Sequence, residues 1–585
     1  MAIPIERGIE PPEAGTGPPP PPVRTMGLNT TAVFVITVAI QLVGFVATVF
    51  LSHGVGGETN GKTFLGIIQL FLIISSSVNT LGELRISSAY QFFVARGQSP
   101  AQLARTFLLA RTVMVFAAGV FLIVFAYAFP SLAEVQNAPG VGESELLEIF
   151  TVFMLLPLLW SIQTVYTASV TAQGDSLGGQ IPLLLESVVR TSGLLYVAIP
   201  IVFHPTSAVS NPQGLLWEMT YAYIAGASAS ALYSAPRVLR YRGSFVAGDL
   251  RRMFRYAWPL MGALGLLYLS NSATPLFVAG YFGPALLNIF SVANGFRIFA
   301  LAVPAAVAVP LFPHLSGLHS KQEYDSVRDQ TWKSLRYTAM LIVPGVVALI
   351  VYRVPVLNIY NSGYVPLGQI PLAILVASTI PAALSQLIGT SLSAVGYQRL
   401  ELYLTSLQVA IMLGGFLLLL PPISLFHLQG LIAVSVAVLT SAMAALALNA
   451  VFMYRLLGLH IQPRPIVTIL LSAAASFAAV SLLNRFVVSR GVVALFGLFV
   501  LGFVAYFFVL AAVGELSQED VLKIGGSLGL PRRLVQAFSR LCWRRTSPPV
   551  NPIPASGAPA LRPLDPTLFP PSSPPPPPPP KGPLG

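Results

Sequence analysis

The chain has 585 residues, of which 55% are hydrophobic and only 9% charged, with a formal net charge of +12 and a mean hydropathy of +0.74. Soluble domains carry roughly 25% charged residues, so the balance excludes a water-soluble fold. The basic residues sit in short loops and a tail, which argues against a nucleic-acid surface, and the single cysteine, Cys542, excludes an internal disulfide or a cysteine-built metal site.

Residues 1–25, with the run Pro18 to Pro22, read as a disordered proline-rich cytoplasmic arm. Glu6, Glu10 and Glu13 in that arm, and a long first apolar run, do not fit a cleavable signal. Apolar stretches then recur at about 30–52, 62–81, 104–129, 146–172, 179–203, 213–236, 253–278, 284–313, 334–357, 366–394, 400–420, 428–454, 465–484 and 491–514. Each matches the length of a helix crossing a hydrocarbon core of roughly 30 Å, and the ten-residue alternation of a barrel strand is not seen. The expectation is an all-α polytopic membrane protein of about fourteen transmembrane helices.

Alternate loops differ sharply in charge. One side holds Arg96, Arg105, the cluster Arg237, Arg240, Arg242, Arg251, Arg252 and Arg255, then Lys321, Arg328, Lys333, Arg336, Arg399, Arg455 and Arg464. The other holds Lys62, Arg353, Arg485 and Arg490 among the acids Glu58, Glu134, Glu143 and Glu145. The positive-inside rule then places both termini in the cytoplasm, with the protein in the cytoplasmic membrane. The longest outer loop, about 130–145, leaves no room for an outer catalytic domain. Beyond Gly514, Ser517 to Arg545 is basic and amphipathic, suited to the anionic cytoplasmic leaflet. The tail 546–585, ending in Pro574 to Pro580, reads as a disordered spacer or a docking strand for glycosyltransferases.

The chain repeats itself. Ser169 to Gly174 (SVTAQG) ends the fourth span and Ser391 to Gly396 (SLSAVG) ends the tenth; Gln213 to Leu216 (QGLL) opens the sixth and Gln429 to Ile432 (QGLI) the twelfth. The economical reading is two six-helix lobes, 26–242 and 243–457, followed by two extra helices in 458–514. Because six is even, the lobes enter from the same side as parallel repeats, with a cavity between them and rocking as the route to alternating access.

With the fourteen-span layout, the twin S-x-[ST]-A-x-G turns, Trp258 and Pro259 opening the seventh helix and AVPLFPHLS closing the eighth, the chain resembles the polysaccharide transporter branch of the multidrug/oligosaccharidyl-lipid/polysaccharide (MOP) exporter superfamily. The resemblance covers roughly residues 30–514 and implies a MATE-like fold, no enzymatic activity and transport of a lipid-linked oligosaccharide. The stretch from Ser291 to Ser316 is also similar to the eighth helix of lipid II flippases, whose arginine at the place of Arg297 is taken to meet the substrate pyrophosphate. The first helix departs from that branch: its strongly polar side chain is Gln41, and it has no arginine.

Arg297 is the deepest cation. A charge near mid-membrane costs roughly 2.5–3.5 kcal/mol on insertion scales, so it belongs in a polar cavity or beside a partner, and a guanidinium suits a pyrophosphate. Arg190 and Glu186 stand four apart, the spacing of an intrahelical pair. Arg111 and Arg85 either line the inner mouth or snorkel to the interface. Glu218 reads as a coupling carboxylate or an interfacial one. The substrate-binding candidates are therefore Arg297, Arg85, Arg111 and Arg190, with Glu186 and Glu218 as a coupling or structural pair. Pro304, Pro310 and Pro313 predict a kinked eighth helix.

Gly525 to Gly529 fits G-x-S-x-G but lacks the strand and partners of a hydrolase, and no Walker loop is present. The expected protein is a monomeric flippase for a polyprenyl- or dolichyl-(pyro)phosphate glycan, with no cofactor and an ion gradient or membrane potential as drive. Its partners are that substrate, membrane lipids and, through the tail, glycosyltransferases. The alternatives are a lipid II-type flippase, a drug/cation antiporter of the same superfamily, a membrane-embedded glycan polymerase or ligase, and a scaffold for glycosyltransferases.

Overall fold

The computed structural model describes residues 40, 43–52, 59–83, 86–95, 98–128, 141–172, 175–203, 212–241, 243, 245–320, 322–419, 430–459, 463–486 and 492–516. Among them every regular element is a helix. The proline-rich arm, the basic segment 517–545 and the tail 546–585 lie outside the described residues, as does Gln41.

In the first half the helices are α1 (Val43–Ser52), α2 (Thr59–Glu83), α3 (Ile86–Ala95), α4 (Pro100–Ala128), α5 (Glu143–Phe153), α6 (Leu155–Ala172), α7 (Ser176–Phe203) and α8 (Pro212–Leu239). The second half has α9 (Ala247–Phe282), α10 (Pro284–Ser320), α11 (Tyr324–Val351), α12 (Arg353–Tyr360), α13 (Val365–Ala377), α14 (Thr379–Ala394), α15 (Gln398–Leu419) and α16 (Leu431–Leu457), then α17 (Pro463–Phe486) and α18 (Val492–Ala512). Pro100, Pro212, Pro284 and Pro463 each open a helix, where the missing N–H is an orphan in any case. Gly283, at φ +83°, turns the chain between α9 and α10.

Eleven segments among the described residues are long and apolar enough to cross a bilayer, against the fourteen expected. The shortfall has a physical basis. Of the first span only Val43–Ser52 is described. The sixth position is filled by α8, of 28 residues, which is long enough but polar, and the seventh by α9, of 36 residues, many of whose side chains lie outside the described residues. In α8 the run GASASA replaces bulk with small side chains, and a Cβ on Gly226 would stand 2.9 Å from Glu186 O of α7. Membrane helices associate by such close approach rather than by apolar bulk. In α9 the first turns carry Arg251, Arg252 and Arg255. The eighth span, α10, is one continuous helix to Ser320, past Pro304, Pro310 and Pro313.

The repeat is visible in backbone detail. At the end of α6 the Asp175 N–H bonds Val170 O at 3.2 Å, and at the end of α14 the Tyr397 N–H bonds Leu392 O at 3.0 Å. In both turns the residue after the motif glycine reaches back five, the longer bond of a glycine-ended helix. Gly396 takes φ +96° to allow it.

The fourth and tenth spans are also broken alike, α5 from α6 at Met154 and α13 from α14 at Ser378. A proline follows each break by three residues, Pro157 and Pro381. Having no N–H, each leaves a carbonyl four residues earlier, of Phe153 or Ala377, without its helical donor. In the first half a neighbour supplies one: Ser75 Oγ of α2 donates to Phe153 O at 3.2 Å.

Buried side chains gather in four clusters. One lies in the first half, around Phe71, Phe150 and Leu216, and a second, around Tyr90, Phe107 and Val165, joins the first half to Met253 and Ala257 of α9. Two lie in the second half, around Phe290, Leu372 and Phe416 and around Leu335, Leu387 and Tyr506. The hairpin α17–α18 is fastened to α11, where Tyr506 Oη donates to Met340 O at 3.1 Å and Arg336 reaches both the Glu515 carbonyl and its carboxylate.

The halves meet on the face opposite the 240–246 linker. A Cβ on Gly66 of α2 would lie 1.8 Å from Pro284 O, so only glycine allows this approach. Lys62 Nζ donates to Gly363 O at 3.0 Å. Phe45 of α1 packs edge-on against Phe296 and Tyr360, at 5.9 and 5.7 Å between ring centroids. On the linker face, Val246 N–H donates to Thr106 Oγ1 and Arg105 Nη1 to Gly243 O.

Candidate functional site

Arg297 stands thirteen residues into α10 from Pro284, roughly 20 Å along the axis at 1.5 Å per residue. Its bonding partners are neutral. Nε donates to Ser378 Oγ at 3.2 Å and Nη1 to Asn294 Oδ1 at 3.4 Å, one turn earlier on the same helix. The ion pairs among the described residues all involve other basic groups. A half-buried guanidinium within the apolar slab therefore has dipoles around it and no counter-charge, which favours an anion beside it.

The guanidinium lines a small cavity with Thr274 of α9, Asn294 of α10, Gln408 of α15 and Ser441 of α16, closed by Phe290, Met412 and Val438. Its interior measures about 20 Å³, room for about one water molecule. All four helices belong to the second half, so the cavity lies within that half rather than between the halves. Nothing larger than about one water fits this space in this conformation.

The other sequence candidates lie elsewhere. Arg111 of α4 is fully buried; its Nη2 donates to Asn79 Oδ1 of α2 at 2.7 Å and to Thr164 Oγ1 of α6 at 3.1 Å, a strap across three helices of the first half. Arg190 of α7 approaches Glu186 Oε1 at 3.7 Å and lies over the Tyr223 ring of α8. Glu186 is held by Trp160 Nε1 at 2.9 Å. The pair is therefore formed, and it lies among α6, α7 and α8. Glu218 is exposed on α8, and the side chain of Arg85 lies outside the described residues. The three described arginines are thus not gathered at one point: Arg297 lines the second-half cavity, while Arg111 and Arg190 sit in the first half.

Sequence reasoning missed Ser378, Gln408, Thr274 and Ser441. Asn294 carried a readable signal, standing three residues before Arg297, the spacing of neighbours on a helix face. The others join the site only through tertiary packing.

Residues 65–364 match the protein family described as "Polysaccharide biosynthesis protein". No curated protein matches the chain. Among solved structures, the lipid II flippase MurJ in its inward closed conformation superposes with a TM-score of 0.65 at 11% identity, covering 82% of this chain and 98% of that one. The inward-facing form of a multidrug-resistance MATE family transporter of the MOP superfamily gives 0.55 at 14% identity, covering 74% and 98%. A MOP superfamily transporter from Pyrococcus furiosus, described by the reversed polarity of its binding pocket, gives 0.52 at 15%, covering 74% and 95%. At these identities the likeness is one of fold.

Proposed function

The chain belongs to the polysaccharide biosynthesis family, within the polysaccharide transporter branch of the MOP exporter superfamily, and on that premise we propose that this multi-pass transporter flips a lipid-linked oligosaccharide across the cytoplasmic membrane. One observation carries the substrate class: Arg297, deep in α10, has neutral partners and faces a polar cavity. A fixed guanidinium fork without a counter-ion suits a phosphate or pyrophosphate, to which it donates several charge-assisted bonds. It disfavours the organic cation of a drug antiporter, which would meet like charge.

In this reading the glycan headgroup enters from the cytoplasmic side, its phosphate meets Arg297, and the lipid tail stays in the bilayer. Movement of one half against the other, parting the Gly66–Pro284 and Lys62–Gly363 contacts, then exposes the headgroup outside. A carrier without differential coupling only equilibrates its substrate. An inside-negative potential supplies the bias, since moving one charge through 100 mV is worth about 2.3 kcal/mol and anions are driven outward. The charge asymmetry of the loops favours cytoplasmic termini, and the proline-rich tail is the segment available for docking glycosyltransferases.

The test is Arg297→Ala in a cell lacking the native gene. Loss of surface glycan with accumulation of lipid-linked precursor is expected. Normal surface glycan without precursor accumulation overturns the role given to Arg297.

A further inference from the structure

We propose that Ser378 is the positioning residue for Arg297 and ties it mechanically to the break between α13 and α14. This rests on the anion reading of Arg297 given above. Ser378 is fully buried, and its hydroxyl serves two partners at once. The O–H donates to Leu375 O at 2.6 Å, while the oxygen accepts from Arg297 Nε at 3.2 Å. The serine proton is committed to the carbonyl, so its lone pair is oriented toward the guanidinium, and hydrogen bonds in such a chain polarise one another.

This arrangement assigns different tasks to the three guanidinium nitrogens. With Nε anchored on α13–α14 and Nη1 lightly held by Asn294 at 3.4 Å, the Nη edge is the part of the fork left for an incoming anion. Ser378 is also the break residue itself, three positions before Pro381. Pro381 offers no N–H to Ala377 O, so this turn is the soft point of the span. Thr379, next along the chain, is buried with its Oγ1 lacking a hydrogen-bond partner among the described residues. An anion that draws the guanidinium toward the cavity therefore pulls, through Ser378, on the weakest turn of the span.

The first half supplies the comparison. There α2 reaches the break of the fourth span directly, with Ser75 Oγ on Phe153 O; α2 and α10 are the second spans of their halves. In both halves the second span reaches the break of the fourth, onto the backbone carbonyl of Phe153 in the first and onto the Ser378 hydroxyl in the second, and only the second contact carries a charge. The function added in the second half is sensing of an anion.

The test uses the full chain in detergent with inorganic pyrophosphate as probe, measuring affinity by titration calorimetry and amide exchange over residues 375–382. The native chain is expected to bind and to change exchange at least about twofold over those residues. Ser378→Ala is expected to weaken binding roughly tenfold, as for loss of a hydrogen bond to a charged group, and to abolish the exchange response. Ser378→Thr keeps the hydroxyl and is expected to restore both. In an Arg297→Lys background, which removes Nε and the fork, Ser378→Ala is expected to add nothing. Native-like affinity and exchange response in a folded Ser378→Ala chain, or additive effects in the double variant, overturn this proposal alone. Failure of the native chain to bind pyrophosphate overturns it together with the anion reading. If Ser378→Ala does not fold, the decision passes to Ser378→Thr: loss of binding or of the exchange response in a folded threonine variant overturns the proposal.

Discussion

The contact between α2 and α10 sets how the halves respond to added bulk at Gly66. A Cβ at position 66 would meet Pro284 O at 1.8 Å and Pro284 C at 2.4 Å, both backbone atoms that cannot rotate aside. Side-chain carbons essentially never approach below 3.0 Å, so any residue but glycine forces the helices at least about 1.2 Å apart at this point. Overpacking of this kind costs about 1–3 kcal/mol, enough to shift a two-state equilibrium roughly 5- to 150-fold. The penalty falls on the state in which the halves touch on this face. Gly66→Leu should therefore populate a form separated there, and Gly66→Ala should do so to a lesser degree. Spin labels at Val46→Cys and Leu367→Cys, positions that are 42% and 56% exposed in the two halves, placed in a Cys542→Ser background, would read the separation by pulsed dipolar spectroscopy. A longer-distance population growing from native to alanine to leucine is expected. An unchanged distance distribution, with an unchanged unfolding temperature for both variants, would refute the steric reasoning.

Two further predictions separate structural charges from functional ones. Arg111→Ala removes a fully buried strap and leaves Asn79 and Thr164 without their donor; thermal unfolding in detergent should show a loss of about 2–4 kcal/mol. Glu186→Gln keeps an acceptor for Trp160 Nε1 but removes the counter-charge of Arg190, which is 25% exposed and held at 3.7 Å. Its cost should be about 1 kcal/mol, with glycan export close to native in complemented cells; abolished export without loss of stability would make the pair functional.

Much of the architecture was legible because the membrane constrains it so tightly. An apolar run of some 20 residues admits one reading, and the motif pair at Ser169 and Ser391 marks the two corresponding turns by itself. The stretches 213–236 and 253–278 read as spans from the sequence and are helical as α8 and α9; α8 packs through glycine, alanine and serine and so lacks the apolar signature of the eleven segments. Arg297 stood out by its cost alone. Its partner Ser378 did not, because a serine in a membrane helix ordinarily bonds its own backbone, and only tertiary structure shows that this one also accepts from an arginine 81 positions away. Arg111 and Arg190 lie apart from Arg297 for a similar reason: sequence gives depth along a helix, but not which face of the bundle that depth opens onto.

The paired prolines sharpen what the repeat means. Pro157 stands twelve residues before Ser169 and Pro381 ten before Ser391, so both halves place a break at nearly the same height in their fourth span. A break on its own weakens a helix, and two alike would bend alike under thermal motion. They are restrained differently: Phe153 O is held by a neutral hydroxyl from α2, whereas the Ser378 turn is held through a guanidinium. Under the proposal above, an anion changes the restraint in the second half and leaves the first untouched. A pseudo-symmetric frame with a single charged restraint bends asymmetrically when loaded, and under the same proposal that asymmetry would couple anion binding to displacement of one half against the other. Exchanging the roles offers the corresponding check. Ser75→Ala should raise amide exchange around Phe153 whether or not pyrophosphate is present, while the response at residues 375–382 stays dependent on the anion. A pyrophosphate-dependent change at Phe153 in the native chain would show that both breaks answer to the ligand, and would remove the asymmetry on which this coupling depends.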